Sequence, residues 1–398
     1  MGRSQITPAA ARSAETEFEK LVASVAHGEI SRRDFFKRAA TLGIAASAIG
    51  IVLAACGEGE TAETGASASP AALDTTLPEK LYLYNWADYM PQSVKDKFTK
   101  EYGITVVETY FEDNEALLTK LKAGARGYDV AVPSDYMVTI LAKSGLLVPL
   151  HMDLIPNFAN VMPRFQKPAY DTWPDGKKYS VPYDWGTTGI GVRIDVISDP
   201  ITKWADLWNP AYKGKIQMLS DEREVVGACL KMLGYSYNTT DQAQIDEAVA
   251  KCIEQKPLVV AYNSNTTRRA LVGGTALVQG WDGWVLMAYD ELGPKKLDYI
   301  LPSEGYCLYS DTFVAPIGGP SPYAAHLFMN FVLDPKINAE CINYTWYHSA
   351  VPAATPYLDE IVLSFAPTEE DLKRSEELKD LGTIGQLYTE AWTRIRTA

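Results

Sequence analysis

The feature that most restricts what this chain can become is a regular exchange of strand-like and helix-like segments, beginning at Leu81. Residues 81–86 read as a strand, and 92–102 as a helix with Val94 and Phe98 at helical spacing and Gly103 as its stop. The stretch 105–110 is β-branched and aromatic, and 114–123 is helical with Leu117, Leu118 and Leu121 along one side. Residues 128–133 are again strand-like and lead into a helix that runs to Ser144, with Gly145 as its cap. The theme returns at 215–219 (strand), 221–233 (helix with an acidic first turn), 258–262 and 276–281 (strands). Strands alternating with helices predict an α/β fold, with mostly parallel sheets flanked by helices.

The length of 398 residues suits two or three domains. The glycine-rich run 185–191 and the segment 309–316 are expected to carry the chain between two lobes. The prediction is a hinged two-lobed clamshell with its ligand between the lobes. Lobe one is expected at 80–187 plus about 310–345, and lobe two at 188–309 plus about 346–398.

The N-terminus follows other rules. Ser31-Arg32-Arg33-Asp34-Phe35-Phe36-Lys37 precedes an apolar, alanine-rich run from 39 to 55, which ends in Leu53-Ala54-Ala55-Cys56. This order resembles a twin-arginine export signal joined to a bacterial lipobox. It implies removal of residues 1–55 and a lipid on the Cys56 thiol; at about 0.8 kcal/mol per buried methylene, several acyl chains anchor stably. The competing reading, an uncleaved membrane helix, sits near the lower length limit for spanning. Residues 56–79 are rich in Ala, Ser, Thr, Gly and Glu and nearly lack large apolar side chains, so they are expected to form a flexible tether.

Removing residues 1–56 leaves 30 basic and 45 acidic residues, a formal charge of −15. Such a surface argues against nucleic acid as a partner. It favours cationic ligands, although solubility accounts for net charge equally well. With Cys56 lipidated, Cys229, Cys252, Cys307 and Cys341 remain, with three possible pairings and no metal-ligand spacing. Free buried thiols are expected, because a core this large needs no staples.

In open α/β sheets ligands sit beyond the carboxyl ends of strands, where this chain places its unusual residues. Trp86, Asp88 and Tyr89 follow the first strand, and Ser134 and Tyr136 the third. Asp221 and Glu224 follow a later strand, and Trp281 with Asp282 ends another. Each has a plainer role open to it. An aspartate after a strand commonly caps a helix, and a lone Trp or Tyr commonly packs in a core. Trp204 and Trp208 are read as core.

Several motifs together resemble the spermidine/putrescine-binding proteins of polyamine ABC importers. They are Tyr84-Asn85-Trp86-Ala87-Asp88-Tyr89, Val132-Pro133-Ser134-Asp135-Tyr136 and Trp204-Ala205-Asp206-Leu207-Trp208, followed by Asp221-Glu222-Arg223-Glu224-Val225, Glu304-Gly305 and Asp311-Thr312-Phe313-Val314-Ala315-Pro316. The resemblance implies carboxylate roles for Asp88, Asp221, Glu224 and Asp311. It implies aromatic roles for Trp86, Tyr89, Tyr136, Trp281 and Tyr309, and polar contacts from Ser134 and Tyr347. It further implies a polyamine ligand, a membrane permease and ATPase as partners, a monomer and no cofactor. The family varies between Glu and Asp at the position of Asp88, and Tyr309 stands where a tryptophan or phenylalanine is usual. Leu378 aligns with a glutamine of spermidine binders, and Trp284 occupies the place of an aspartate in putrescine-preferring relatives. These departures leave the choice of polyamine open.

The chemistry suits an extended cation. Carboxylates replace lost ammonium hydration through charge-assisted hydrogen bonds, and aromatic faces cover methylenes while attracting ammonium by about 0.5–2 kcal/mol. The main rivals are the same fold binding another cationic amine or an amino acid, and an exported hydrolase. For the hydrolase, the four histidines (His27, His151, His326 and His348) show no metal-ligand spacing, and no Gly-x-Ser-x-Gly nucleophile motif occurs.

Overall fold

The computed structural model describes residues 73–398. The expected signal, Cys56 and most of the tether therefore lie outside the described residues. Among the described residues, no helix is long and apolar enough to cross a membrane.

The chain opens with β1 (Lys80–Asn85), α1 (Gln92–Tyr102), β2 (Thr105–Tyr110), α2 (Asn114–Lys122), β3 (Val130–Ala131) and α3 (Asp135–Lys143). A long strand, β4 (Ser180–Val192), then leads to β5 (Ile216–Met218), α4 (Glu222–Met232), α5 (Gln242–Gln255), β6 (Val259–Tyr262), β7 (Leu277–Trp281) and α6 (Asp282–Leu292). The main elements that follow, leaving aside helices of six residues or fewer, are β8 (Asp298–Ile300), β9 (Tyr306–Val314), α7 (Pro322–Val332), α8 (Pro335–Thr345), β10 (His348–Ser349), β11 (Ser375–Glu377) and α9 (Gln386–Thr397). Local chemistry sets the boundaries: Gly103 ends α1 in a left-handed conformation, and Asp221 caps α4 by accepting from the amides of Arg223 and Glu224.

Strand order is β2-β1-β3-β9-β4-β7-β5-β6. The outer trios, β2-β1-β3 and β7-β5-β6, are parallel, whereas β4 runs antiparallel to β9 on one side and to β7 on the other. Each sheet is therefore mixed. The first half of β4 pairs with β9 and the second half with β7, so one strand belongs to both sheets.

Residues 185–191, expected as a glycine-rich crossing, lie in the later part of this fully buried strand, where its pairing passes from β9 to β7, so the crossing is made by a continuous strand. Their glycines serve close approach. A Cβ at Gly186 would collide with the Tyr309 hydroxyl and with the Asp282 carboxylate, and one at Gly189 with the Ile300 carbonyl and Tyr299 ring.

One core gathers Leu81, Leu83, Phe98, Phe313 and Phe328 around the first sheet, and another gathers Trp204, Ile216, Val226, Ile245 and Tyr388 around the second. Tyr347, Ala350, Val351 and Ala354 pack in the first core, because β10 pairs with the Asp184–Trp185 end of β4. The segment just beyond residue 346, expected with lobe two, thus joins the first sheet. The expectation of four free thiols is also corrected. Cys229 on α4 and Cys252 on α5 face each other and form a disulfide, while Cys307 and Cys341 are buried free thiols. Helix–helix packing brought that pair within reach, which spacing along the chain did not reveal.

Candidate ligand-binding site

A cavity of about 430 Å³ opens beyond the carboxyl ends of β1, β3, β5 and β7. All eleven predicted residues line it: Trp86, Asp88, Tyr89, Ser134, Tyr136, Asp221, Glu224, Trp281, Tyr309, Asp311 and Tyr347. Glu112, Asn114 and Asp135 also line it, as do Phe111, Trp284 and Leu378. No lysine, arginine or histidine does so among the described residues. A smaller cavity of about 210 Å³ adjoins it, sharing Trp86, Glu112, Asp221, Asn265 and Trp281 and adding Asp113, Glu115 and Glu222.

Asp311 lies near the centre. Its carboxylate accepts from the Ser134 hydroxyl at 2.6 Å and lies 2.6 Å from the Tyr89 hydroxyl. An isolated bridge between Ser134 and Asp311 fixes the first contact, and the Asn114 side chain brackets Ser134 from the other side. Burial pushes the Asp311 carboxyl up to about 6, against the lowering effect of those two hydroxyls.

Asp221 and Glu224 form a second acidic group at the start of α4. Glu224 accepts from the Thr188 hydroxyl at 2.8 Å, while its other oxygen, Oε2, is buried without a partner. Burial, aided by the Asp221 charge, raises Glu224 to about 8. Asp221 both caps α4 and lines the cavity. Burial raises its carboxyl too, opposed by the two backbone amides it accepts from. Glu115, whose carboxylate accepts from the Tyr136 hydroxyl at 3.1 Å, is pushed up to about 7 by burial and then by Asp221. Arg223 beside them does not line the cavity; it donates to the Lys379 carbonyl and the Asn238 side chain, stacks on Tyr388 and lies over Tyr136, and its charge opposes the rise at Asp221.

Asp88 sits on the exposed rim in a left-handed backbone conformation (φ 53°) and caps no helix, since α1 begins after Pro91. The walls are aromatic. The Trp86 indole N–H donates to the Val132 carbonyl at 2.8 Å, and Tyr89, Tyr309 and Tyr347 meet edge to face. Tyr309 stands 6.4 Å from Trp281 and donates to Asp282 at 3.2 Å. Asp282 in turn accepts from the Thr187 amide and hydroxyl and hydrogen-bonds His348, so it is fully employed in holding the wall.

Other parts of the recognisable motifs are structural. Trp204 is fully buried, its indole donating to the Gly305 carbonyl, while Glu304 accepts from the Trp204 and Ala205 amides. Sequence reasoning missed Asp135, Asp184 and Glu115. Asp135 and Glu115 do stand beside predicted residues, and the acid after Pro133-Ser134 was a visible signal; Asp184 carried none, being in the middle of a strand.

An α/β fold of two sheets sharing one strand, with a sheltered cavity at the strand ends, is the framework of a binding protein for small solutes. Residues 93–363 match the family described as bacterial extracellular solute-binding protein, and the chain belongs to that family. Within it, the chain is 34% identical over 323 residues to the spermidine/putrescine-binding periplasmic protein of Escherichia coli (strain K12), covering 79% of this chain and 91% of that one. Among solved structures it resembles the spermidine/putrescine ABC transporter substrate-binding protein PotD of Streptococcus pneumoniae, with TM-score 0.70 and 30% identity over 80% of this chain and 99% of that one. It also resembles the TpPotD lipoprotein of Treponema pallidum, with TM-score 0.73 and 29% identity over 80% of this chain and 100% of that one. The two-lobed clamshell expected from the alternating segments is the fold of these relatives and of this chain.

Proposed function

We propose that this protein captures a polyamine outside the cytoplasm and delivers it to the permease and ATPase of an ABC importer. The observation that carries this reading is the cavity lining, in which Asp88, Glu112, Asp135, Asp221, Glu224 and Asp311 meet aromatic walls without a basic side chain among the described residues. A buried ammonium without a partner costs several kcal/mol, and acidic groups spread along the slot offset that cost at each nitrogen. Trp86, Trp281 and Tyr309 present flat faces to the methylenes between. A micromolar affinity requires only about 8 kcal/mol net, which a few such contacts supply. The relatives' names point the same way.

Binding without chemistry follows from this reading, so the protein is proposed to be a carrier and not an enzyme. Placement on the outer face of the membrane through a lipid on Cys56 is part of the proposal. The motif Leu53-Ala54-Ala55-Cys56 and the lipoprotein status of the Treponema relative support it. Loss of membrane retention in Cys56→Ala tests it, and unchanged retention contradicts it.

The ligand is tested by thermal shift of the purified protein with spermidine, putrescine, agmatine, neutral amino acids and phosphate. The expected result is a rise in melting temperature with spermidine or putrescine. Equal stabilisation by neutral amino acids, or none by any amine, would discard the polyamine reading.

A further inference from the structure

Behind the cavity wall, Asp184 on β4 lies directly across from Asp311 on β9 in the antiparallel register. Two like charges facing each other across a ladder are destabilising, and here both side chains are buried, Asp184 with no exposure at all. The oxygen of a single phenol stands between them. The Tyr89 hydroxyl is 2.6 Å from Asp311 Oδ2 and 2.9 Å from Asp184 Oδ1.

Counting protons decides what this arrangement can be. A tyrosine hydroxyl has one proton to donate and lone pairs to accept with. It can satisfy one ionised carboxylate, and its contact with the other then needs a proton from that carboxyl group. Asp311 has a second donor in Ser134. Asp184 has none, because Oδ2 is buried without a partner and the nearby Ser310 hydroxyl donates to the Asp184 backbone carbonyl instead. The titratable groups facing Asp184 add no positive charge. They are Asp311 on β9, Asp282 at the start of α6, Tyr89 after β1, Tyr183 on β4 itself, Cys341 on α8 and Tyr347 after it. His348, the nearest basic side chain in this network, is hydrogen-bonded to Asp282. The second proton therefore resides on Asp184.

We infer that Asp184 is a positioning residue. It remains a neutral carboxylic acid, donates a hydrogen bond to the Tyr89 oxygen, and thereby aims the Tyr89 proton at Asp311, the ionised member that faces the cavity. The chain reads Asp184 O–H to Tyr89 O–H to Asp311. Burial, followed by the Asp311 charge, holds Asp184 well above the ordinary carboxylate range, opposed only by its contact with Tyr89. Asp311, with two hydroxyl donors, is held only to about 6 and is ionised at neutrality. Asp184 is not among the residues lining the cavity, so it acts on the ligand solely through Tyr89 and Asp311. The role of Asp311 toward an ammonium rests on the polyamine reading, whereas the protonation of Asp184 does not.

The test compares wild type, Asp184→Asn and Asp184→Thr. Both replacements are neutral and keep a donor for Tyr89. Infrared spectroscopy of the unliganded protein, with isotope-labelled aspartate, should show a protonated-carboxyl band at neutral pH that is diminished in either variant. Calorimetric titration with putrescine across acid to neutral pH should place the midpoint of the acid loss of binding equally in wild type and Asp184→Asn. A band of unchanged intensity in the variants, or an acid midpoint lowered by about one pH unit or more, would overturn the inference, since either means that Asp184 is charged in the wild type. If putrescine and spermidine bind to none of the three proteins, the ligand reading fails, and the infrared comparison still decides the state of Asp184.

Discussion

Replacing Asp311 with asparagine should move binding and stability in opposite directions. Asp311 is 6% exposed, has two hydroxyl groups within 2.6 Å and faces a cavity without basic lining. Removing one partner of a buried, hydrogen-bonded charge pair costs about 2–5 kcal/mol. At 1.4 kcal/mol per tenfold, the middle of that range weakens polyamine binding roughly 100-fold or more. The unliganded protein should respond in the other direction. The folded-state carboxyl sits at about 6 against an ordinary 3.8, so its stabilising protonated form is present below the ordinary value and is lost as pH rises through about 6. Near neutrality that loss is at most about 3 kcal/mol, at 1.36 kcal/mol per pH unit, less whatever the rearranged Ser134 and Tyr89 hydrogen bonds return. Asp311→Asn should therefore melt higher than wild type without ligand at neutral pH, and the difference should vanish in mild acid. Calorimetric titration with spermidine and putrescine reads the first effect, and unfolding without ligand at two pH values reads the second. Undiminished affinity would mean that Asp311 holds no ammonium, and a variant less stable than wild type at neutral pH would mean that its charge is not destabilising.

Three further expectations follow from the same geometry. Glu224, held near 8 by burial, enters binding largely protonated at neutral pH, so capturing an ammonium should release protons and affinity should rise with pH; titrations in buffers of differing ionisation heat check this, and Glu224→Gln should reduce the release. A methyl group at position 186 would overlap the Tyr309 hydroxyl and the Asp282 carboxylate; overpacking of this kind costs typically 1–3 kcal/mol, so Gly186→Ala should lower the melting temperature, and an unchanged one would show that β4 yields there. The Cys229–Cys252 bridge closes a loop with a sequence separation of 23, worth about 3 kcal/mol by loop entropy; reductant or Cys229→Ser should lower denaturant stability by an amount of that order, and no change would mean that the bridge does not form in solution.

Much of the framework was legible because amphipathic helices and β-branched strands announce themselves locally. The span 92–102 matches its helix end to end, and 105–110 its strand. What was not legible was the spine. Every residue of β4 is buried, and Gly186, Gly189 and Gly191 interrupt it, so it shows neither the two-residue alternation of a half-exposed strand nor the usual strand composition. β9 is also buried throughout, so it too lacks that alternation. The pairing of these two strands is therefore hidden in the sequence, and with it part of the site. Asp221 and Asp88 follow strands and could be found from position, but Asp184 gains its meaning only when β4 pairs with β9 and brings it opposite Asp311. Leu378 and Trp284, noted as departures from the related sequences, both line the cavity, which places the unresolved choice between polyamines at particular side chains.

Acidic groups on both sides of one slot are expected to hold the nitrogens of an extended cation. A crystal structure of the protein grown with spermidine or putrescine measures this most directly. The expected result is an extended amine along the aromatic walls, with one nitrogen in hydrogen-bond reach of Asp311 and another by Asp221 and Glu224. An amine bound outside the cavity, or nitrogens turned away from these carboxylates, would contradict it.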